Sequence, residues 1–187
     1  MIEKFIYKFV DDLGEYNNYS NEQIEQIKYT LKAIIFEVIK LLFTIIVFSI
    51  LGYFKESFAI ILLMSITKPF IGGYHEDTQV KCFIATLILV FFIIFLSQHS
   101  RLNLISIIIL NLLSIFSIYN RAPVIDNRMP ITRIDLIRRN RIIGISSILI
   151  LAIVSIILYK IIWLSQIIVW TILVQATLMF NKYKEVK

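Results

Sequence analysis

The sequence predicts an all-α integral membrane protein with about six transmembrane helices, a cytoplasmic N-terminal amphipathic segment and both termini in the cytoplasm. Three observations predict this fold. Hydrophobic residues make up 58% of the 187 residues, and the mean hydropathy of +0.81 exceeds that of ordinary soluble domains. The apolar residues form runs close to the roughly 20 residues that span a bilayer as a helix. Basic residues are concentrated in alternate connections between these runs.

Five apolar runs are long enough, or nearly long enough, to cross the bilayer. A helix is the expected form, because backbone polar groups in lipid must be hydrogen-bonded within the segment. The runs also lack the alternation of outer-membrane barrel strands. They cover residues 33–54, 82–97, 102–119, 142–159 and 161–180.

A sixth segment, residues 57–71, admits two interpretations. It is apolar for only eleven residues before Lys68 and Pro69, which fits either a short span or a re-entrant segment. The Lys and Arg residues favour a span. With six crossings, fifteen basic residues fall on one side of the membrane and three on the other, and Lys40 lies within a span. The positive-inside rule then places both termini in the cytoplasm.

The whole chain is predicted to be one membrane-embedded domain, because it shows no internal repeat or linker. Residues 1–32 form a cytoplasmic or interfacial lead-in, residues 33–180 a transmembrane bundle, and residues 181–187 a cytoplasmic tail. Within the lead-in, a helix is expected to start near Ser20 or Asn21, both good N-caps. The N-terminus lacks the pattern of a signal peptide. The net charge of +6 belongs mostly to the connections, so membrane lipids rather than nucleic acid are the expected partners.

A thiol and an imidazole seven residues apart are the strongest candidates for chemistry. Cys82 is the only cysteine, which excludes an intrachain disulfide, and His75 is one of two histidines. One continuous helix would separate the two side chains by about 10 Å along its axis. A base must come within about 3 Å of its nucleophile, or reach it through one water. A Cys–His dyad therefore requires His75 to lie off the helix and fold back over its first turn.

The helix ends around this pair are also predicted. Pro69 and the Gly-Gly pair that follows are expected to end the preceding helix. Asp77 or Thr78 is expected to cap the next one. Cys82 would then lie about one turn inside a helix N-terminus, whose partial positive charge favours a thiolate, and Lys81 acts in the same direction.

The same residues have simpler interpretations. A lone Cys in an apolar helix is usually inert, and a lone His near a membrane interface is often only a polar group in contact with water. Cys82, His75, Glu76 and Asp77 could supply metal ligands, but the spacing of a zinc site is absent. Neither a metal nor a cofactor is expected.

Two blocks of sequence carry a resemblance to a known family. In the first, a basic residue is followed by Gly-Gly-Tyr-His and by a Cys seven residues after the His. In the second, an Ala-Pro step is followed by another Pro and by a basic run. The first block is Lys68, Gly72-Gly73-Tyr74-His75 and Cys82, and the second is Ala122-Pro123, Pro130, Arg133, Arg138, Arg139 and Arg141.

In this order, the blocks resemble the accessory gene regulator B (AgrB) family, the membrane endopeptidases of peptide quorum sensing. Chain length, span number and the location of both blocks also resemble the family along nearly the whole sequence. Two features depart from the family pattern. The upstream basic residue is usually Arg, where this chain has Lys68, and a small residue often follows the His, where this chain has Glu76 and Asp77.

The resemblance implies a cysteine endopeptidase that removes the C-terminal part of an AgrD-type precursor peptide. Cys82 would attack the scissile carbonyl while His75 accepts the thiol proton, which leaves the peptide as a thioester. A Cys of the peptide would then displace the enzyme and close a thiolactone ring. The resemblance further implies a homodimer in the cell membrane, with several passes through it.

Other residues are candidates for supporting roles in that reaction. Glu76 or Asp77 could orient the imidazole, with Asp126 as a remote alternative. Thr78 and the backbone N–H groups that follow it, with Gly73 nearby, could stabilise an oxyanion at the helix N-terminus.

Five basic residues are candidates for binding the precursor, because a guanidinium group binds a carboxylate in a bidentate way. The positive-inside rule and the attraction of anionic lipid head groups account for the same charges without a substrate. These residues are Lys68, Arg133, Arg138, Arg139 and Arg141.

Two further functions stay open. A small peptide transporter or exporter without covalent chemistry would line a path with Lys40, His75 and Asn111. The second of these alternatives is a non-catalytic scaffold or sensor. Polar residues within the spans also have structural interpretations: Glu37 and Lys40 can pair on one helix face, and Asn111 and Gln175 can form hydrogen bonds between helices or subunits.

Overall fold

The computed structural model describes residues 2–17, 19–73, 78–124 and 133–180. Within these ranges the secondary structure is helical apart from one isolated β-bridge, so the predicted all-α class is confirmed. The helices are α1 (Ile2–Asn17), α2 (Asn21–Ile50), α3 (Phe54–Ile71), α4 (Gln79–His99), α5 (Leu104–Arg121), α6 (Ile134–Ile157), a 3-10 turn (Leu158–Lys160) and α7 (Ile162–Leu178).

Four helices of the described ranges are long and apolar enough to cross a membrane, namely α2, α4, α5 and α6 with its 3-10 turn. The described part of the chain is therefore an all-helical structure with helices suited to a membrane. α7 is apolar but has 17 residues. α3 has 18 residues and carries Lys55, Glu56 and Lys68. At 1.5 Å per residue, these two helices are about 26 and 27 Å long, slightly less than a hydrocarbon core of about 30 Å.

Residues 1–44 form one compact unit. α2 begins as predicted: the Ser20 hydroxyl accepts from the Gln23 N–H (3.3 Å), and the Gln23 side chain accepts from the Ser20 N–H (3.0 Å). This reciprocal pair is a capping box. α2 then continues without a break into the first apolar run. Within the run, Lys40 and Glu37 form the expected ion pair at 2.6 Å.

α1, which was not predicted from the sequence, packs against the first turns of α2. Lys28 forms an ion pair with Asp11 at 2.8 Å. A Cβ on Gly14 would lie 2.6 Å from the Ile24 side chain, so this glycine permits the close approach of the two helices.

Residues 45–187 form the second unit, in which α7 lies at the centre. The consecutive residues from Ser165 to Val169 are all buried, and one packed face of a helix cannot bury five residues in a row. Contacts with α3, α4, α5 and α6 surround α7 and account for this burial.

The turn between α2 and α3 differs from the prediction. α2 ends at Ile50, and Phe54 opens the next helix instead of ending the run 33–54. Gly52 has φ +86° in this turn, a conformation that glycine adopts at little cost. The chain therefore reverses a few residues earlier than the apolar pattern suggested.

Hydrogen bonds between helices set the directions in the bundle. The Thr67 hydroxyl donates to the Gln175 side chain at 2.8 Å, so α3 and α7 end on the same side. Arg141 donates to the Tyr119 carbonyl at 3.1 Å, so α6 begins where α5 ends. Asn111 donates to the Ser155 hydroxyl at 2.8 Å. The expected interhelical bonds of Asn111 and Gln175 are therefore confirmed.

α3, α5 and α7 finish at the same end of the bundle at which α4 and α6 begin. We call this end the junction end. At the opposite end, one basic residue lies in or directly beside each of the three connections, namely Lys55, Arg101 and Lys160. The other seven described basic residues of this unit lie at or near the junction end, namely Lys68, Lys81, Arg121, Arg133, Arg138, Arg139 and Arg141.

Candidate functional site

α3 ends at Gly72, directly before the predicted catalytic connection. The helix continues through Pro69 to Ile71, so the expectation that the proline helps to end it is wrong. Although Pro69 lacks an N–H, the next backbone bonds still form: the Gly72 N–H donates to the Lys68 carbonyl at 2.9 Å. Gly72 then leaves the helix with φ +74°. The glycine, not the proline, ends α3.

Gly72 pairs with a segment that follows α5. The Val124 N–H donates to the Ile71 carbonyl at 3.0 Å, and Gly72 and Val124 form a parallel β-bridge. A Cβ on Gly72 would collide with the Val124 carbonyl oxygen, so no other residue fits there without a shift of the backbone. Ala122 and Pro123, joined by a cis peptide bond, immediately precede Val124. The two sequence blocks that carry the family resemblance therefore meet at the junction end.

α6 also packs against the end of α3. A Cβ on Gly144 would lie 2.8 Å from the Ile71 side chain and 3.3 Å from the Ile71 nitrogen. Ile71 is completely buried. The pairing of Gly72 with Val124 and the role of Gly144 were both missed in the reading of the sequence. A glycine within the apolar run 142–159 was the available signal for the second of these.

Cys82 lies where the sequence predicts, one turn inside the N-terminus of α4. Thr78 is the N-cap, and its hydroxyl accepts from the Lys81 N–H at 3.3 Å. The Cys82 N–H donates to the Thr78 carbonyl at 2.9 Å, which is the first backbone bond of the helix. The Cys82 side chain is half-buried.

The thiol shares a helix face with residues that point into the bundle. Thr86, Val90, Ile93 and Ser97 follow Cys82 at helical spacing, and all four are buried. The Thr86 hydroxyl donates to the Cys82 carbonyl at 2.8 Å. Cys82 therefore occupies the end of the inward face of α4 that is nearest the connection from α3.

The imidazole of the predicted dyad lies outside the described residues. This holds for His75, Glu76 and Asp77, and also for Asp126, so the dyad and its orienting carboxylate stay predictions. Gly73 is described: it is buried, with φ +134°, and, its chain neighbours apart, no atom of the described residues lies within 4 Å of the position that a Cβ would take. The structure therefore describes the two residues that flank the predicted catalytic connection (residues 74–77), namely Gly73 and Thr78.

The predicted basic loop is in part the start of a helix. α6 begins at Ile134, eight residues before the apolar run 142–159, which corrects the loop assignment of Arg138, Arg139 and Arg141. Half-buried Leu136 and Ile137 give these first turns an apolar face, which the surrounding charges masked in the sequence.

The five candidate basic residues have different surroundings. Arg141 donates a hydrogen bond to the Tyr119 carbonyl, and its guanidinium group lies 5.6 Å from the centre of the Tyr119 ring. It therefore supplies a donor to one of the last backbone carbonyls of α5. Arg138 and Arg139 are exposed on the first turns of α6, and Arg133 is exposed at its N-cap position. Lys68 lies in the last turn of α3, where a cation interacts favourably with the helix dipole.

No metal site is visible in the described part of the chain. Among residues 2–17, 19–73, 78–124 and 133–180, no three His, Cys, Asp or Glu side chains are grouped so as to hold a metal ion. The expectation of no metal and no cofactor stays a prediction.

Comparison with known proteins establishes the family. The model of the family described as accessory gene regulator B matches residues 2–179. The chain belongs to the AgrB family. An AgrB-like protein of Clostridium perfringens (strain 13 / Type A) is 51% identical over 183 residues, which cover 98% of each chain. No solved structure matches this AgrB-family chain. The resemblance drawn from the two sequence blocks is confirmed.

Proposed function

We propose that this AgrB-family membrane protein is a cysteine endopeptidase that cleaves an AgrD-type precursor peptide and promotes its cyclisation. The observation that carries the proposal is the position of Cys82, half-buried on the first turn of α4 behind the Thr78 cap. Amide groups at a helix N-terminus lack backbone acceptors and favour a negative charge nearby. That environment suits a thiolate nucleophile.

The proposed reaction has two steps. In the first, His75 takes the thiol proton, the Cys82 sulfur adds to the scissile carbonyl, and the amine of the C-terminal fragment leaves with that proton. In the second, the thiolate of a cysteine in the precursor attacks the thioester on Cys82. The second step forms a thiolactone and releases Cys82, and it exchanges one thioester for another. A dry site at the membrane edge favours this closure over hydrolysis.

The Thr78 cap narrows the choice of oxyanion donors. The N–H groups of Lys81 and Cys82 already donate to the hydroxyl and the carbonyl of Thr78. The N–H groups of Gln79 and Val80 precede the first backbone bond of α4 and have no acceptor within the helix. We therefore assign the oxyanion to these two amides, with Gly73 as a further candidate.

We also propose six membrane spans with both termini in the cytoplasm. α3, α5 and α7 end at the junction end, where the basic residues of the second unit are concentrated, while one basic residue lies in or beside each connection at the other end. The positive-inside rule then assigns the junction end to the cytoplasm. This topology exposes Cys82 to a precursor made in the cytosol.

The precursor, a second copy of the chain and membrane lipids are the proposed partners. Arg133, Arg138 and Arg139 are exposed at the start of α6 and are the proposed docking residues for an acidic precursor tail. Lys68 is a weaker candidate for that role. Arg141 is removed from it, because its guanidinium group already binds the end of α5.

The exporter alternative draws less support from the structure. Two of its three path-lining residues have structural partners: Asn111 is 3% exposed and donates to Ser155, and Lys40 pairs with Glu37.

The decisive experiment replaces the thiol. Co-expression of the Cys82→Ser variant with an AgrD-type precursor should abolish cleavage, by at least about a thousandfold, because the hydroxyl is a far weaker nucleophile. The wild type, trapped with acid, should carry a precursor fragment that hydroxylamine releases. Ser97→Ala, on the same face of α4, is the matched control. Cleavage that persists in Cys82→Ser at normal membrane levels would exclude the peptidase function.

A further inference from the structure

The end of α3 is held from three sides within a few residues of Gly72. The Val124 N–H binds the Ile71 carbonyl, and the Val124 carbonyl fills the space of a Gly72 side chain. Gly144 of α6 lies directly against Ile71. One turn earlier in α3, the buried Thr67 hydroxyl binds α7. Contacts with three other segments therefore fix the point at which α3 stops.

The segment that supplies the pairing contains no chemically reactive side chain. Ala122 is 6% exposed and belongs to the buried cluster that contains Ile71 and Ile118, and Val124 packs against that cluster. The hydrogen bond to α3 comes from the backbone of Val124. Residues 122–124 therefore contact α3 through their backbone rather than through a reactive side chain.

We propose that residues 122–124 are a positioning element for catalysis: by pairing with Ile71 and Gly72, they set where the catalytic connection leaves α3. This inference rests on the proposed Cys–His mechanism. The connection between the two fixed ends, Gly73 and Thr78, is only four residues long, so a shift at Gly72 passes directly into it. Proton transfer requires a separation of about 3 Å, and a misplacement of about 1 Å can cost a hundredfold in rate.

Two glycines provide a matched test of the pairing. Gly72 and Gly52 both have a positive φ, of +74° and +86°, so an alanine is strained at both. A Cβ at Gly72 meets the Val124 carbonyl, whereas a Cβ at Gly52 meets nothing within 4 Å. The two alanine variants therefore differ in the collision with residues 122–124. Val124→Pro removes the N–H donor without altering Gly72 and serves as a second variant.

The measurement is the rate at which iodoacetamide alkylates Cys82, the only thiol, as a function of pH in the full-length protein in detergent. If His75 activates the thiol, His75→Gln should lower the rate near neutral pH by about tenfold. Gly72→Ala and Val124→Pro should reproduce the His75→Gln profile, although both retain His75 and Cys82. Gly52→Ala should retain the wild-type profile.

The outcomes separate the inference from the function on which it rests. Identical profiles for the wild type and His75→Gln would exclude the proposed dyad itself. The positioning role alone would be overturned if His75→Gln differed from the wild type while both Gly72→Ala and Val124→Pro kept the wild-type profile. If both variants failed to insert in the membrane, the pairing would be a requirement for folding, and the positioning role would again be overturned.

Discussion

The two ends of the α3–α7 bundle reverse the chain in different ways. At the end opposite the junction, the chain reverses through the short segments Leu51–Tyr53 and 100–103 and through the 3-10 turn between α6 and α7. Gly52 there has open space around it. At the junction end, Gly72 also has a positive φ but is packed against a carbonyl from a distant segment. One glycine only makes a turn, whereas the other also joins two connections.

The comparison teaches that a positive φ alone does not mark a functional glycine. What distinguishes Gly72 is the contact that its missing side chain permits. The same end of the bundle also carries the capped thiol and most of the basic residues of the second unit. Long-range pairing, most of the basic residues and the thiol coincide at one end, while the other end has local turns with a single basic residue in or beside each.

The largest expected effect, on the rate of precursor cleavage, comes from comparing substitutions of the two histidines. His75 precedes α4 in the sequence, and His99 occupies the last turn of that helix, stacked on Phe95 at 4.2 Å. We expect His75→Gln to lower precursor cleavage by about 10²- to 10⁴-fold, the usual contribution of a general base. His99→Gln should change it by less than about twofold, since a side chain remote from the reacting atoms adds little to proton transfer. Comparable losses in both variants, measured at equal membrane levels, would contradict the assignment of chemistry to one end.

A smaller effect, on the KM for the precursor, is expected from reversing charge at each end of the bundle. Arg138→Glu combined with Arg139→Glu should raise the KM for a precursor with an acidic tail by about tenfold, because two attractive contacts with carboxylates become repulsive. Arg101→Glu, at the opposite end, should leave KM unchanged and increases the charge asymmetry between the two sides. Unchanged KM in the double variant, with normal insertion, would leave lipid head groups as the partner of these arginines.

The smallest effect concerns packing. Gly144→Ala places a Cβ 2.8 Å from the Ile71 side chain, and overpacking of this kind typically costs about 1–3 kcal/mol. The free energy of unfolding, measured in detergent with denaturant, should fall by that amount. Ser147→Ala, one turn further along α6, removes a hydroxyl bonded to the Ile143 carbonyl and serves as the control, which should cost less. An unchanged stability for Gly144→Ala would show that α3 and α6 can separate there.

The features that depend on neighbouring residues could be predicted from the sequence. The Ser20 cap of α2 and the Thr78 cap of α4 are local hydrogen bonds with a recognisable residue pattern. The interhelical bonds of Asn111 and Gln175 followed from the cost of leaving an amide without a partner in an apolar span. The location of Cys82 on the first turn of α4 followed from the same local reasoning.

Features that depend on distant segments were not predicted. Gly72 and Val124 are 52 residues apart in the sequence, and a single backbone hydrogen bond leaves no side-chain pattern at either position. The early start of α6 was hidden because Arg138, Arg139 and Arg141 resemble a charged loop. Arg138 and Arg139 lie exposed on a helix whose other face contacts the bundle, an arrangement that becomes visible only once the neighbouring helices are in place.

The central position of α7 has a consequence for how the protein is made. It follows the other described helices in the chain, yet it is the common neighbour of α3, α4, α5 and α6. Until the ribosome has delivered it, the Thr67 hydroxyl lacks its partner on Gln175, and the earlier helices lack the surface on which they converge. Biogenesis therefore withholds a complete α3–α7 bundle until α7 has been synthesised.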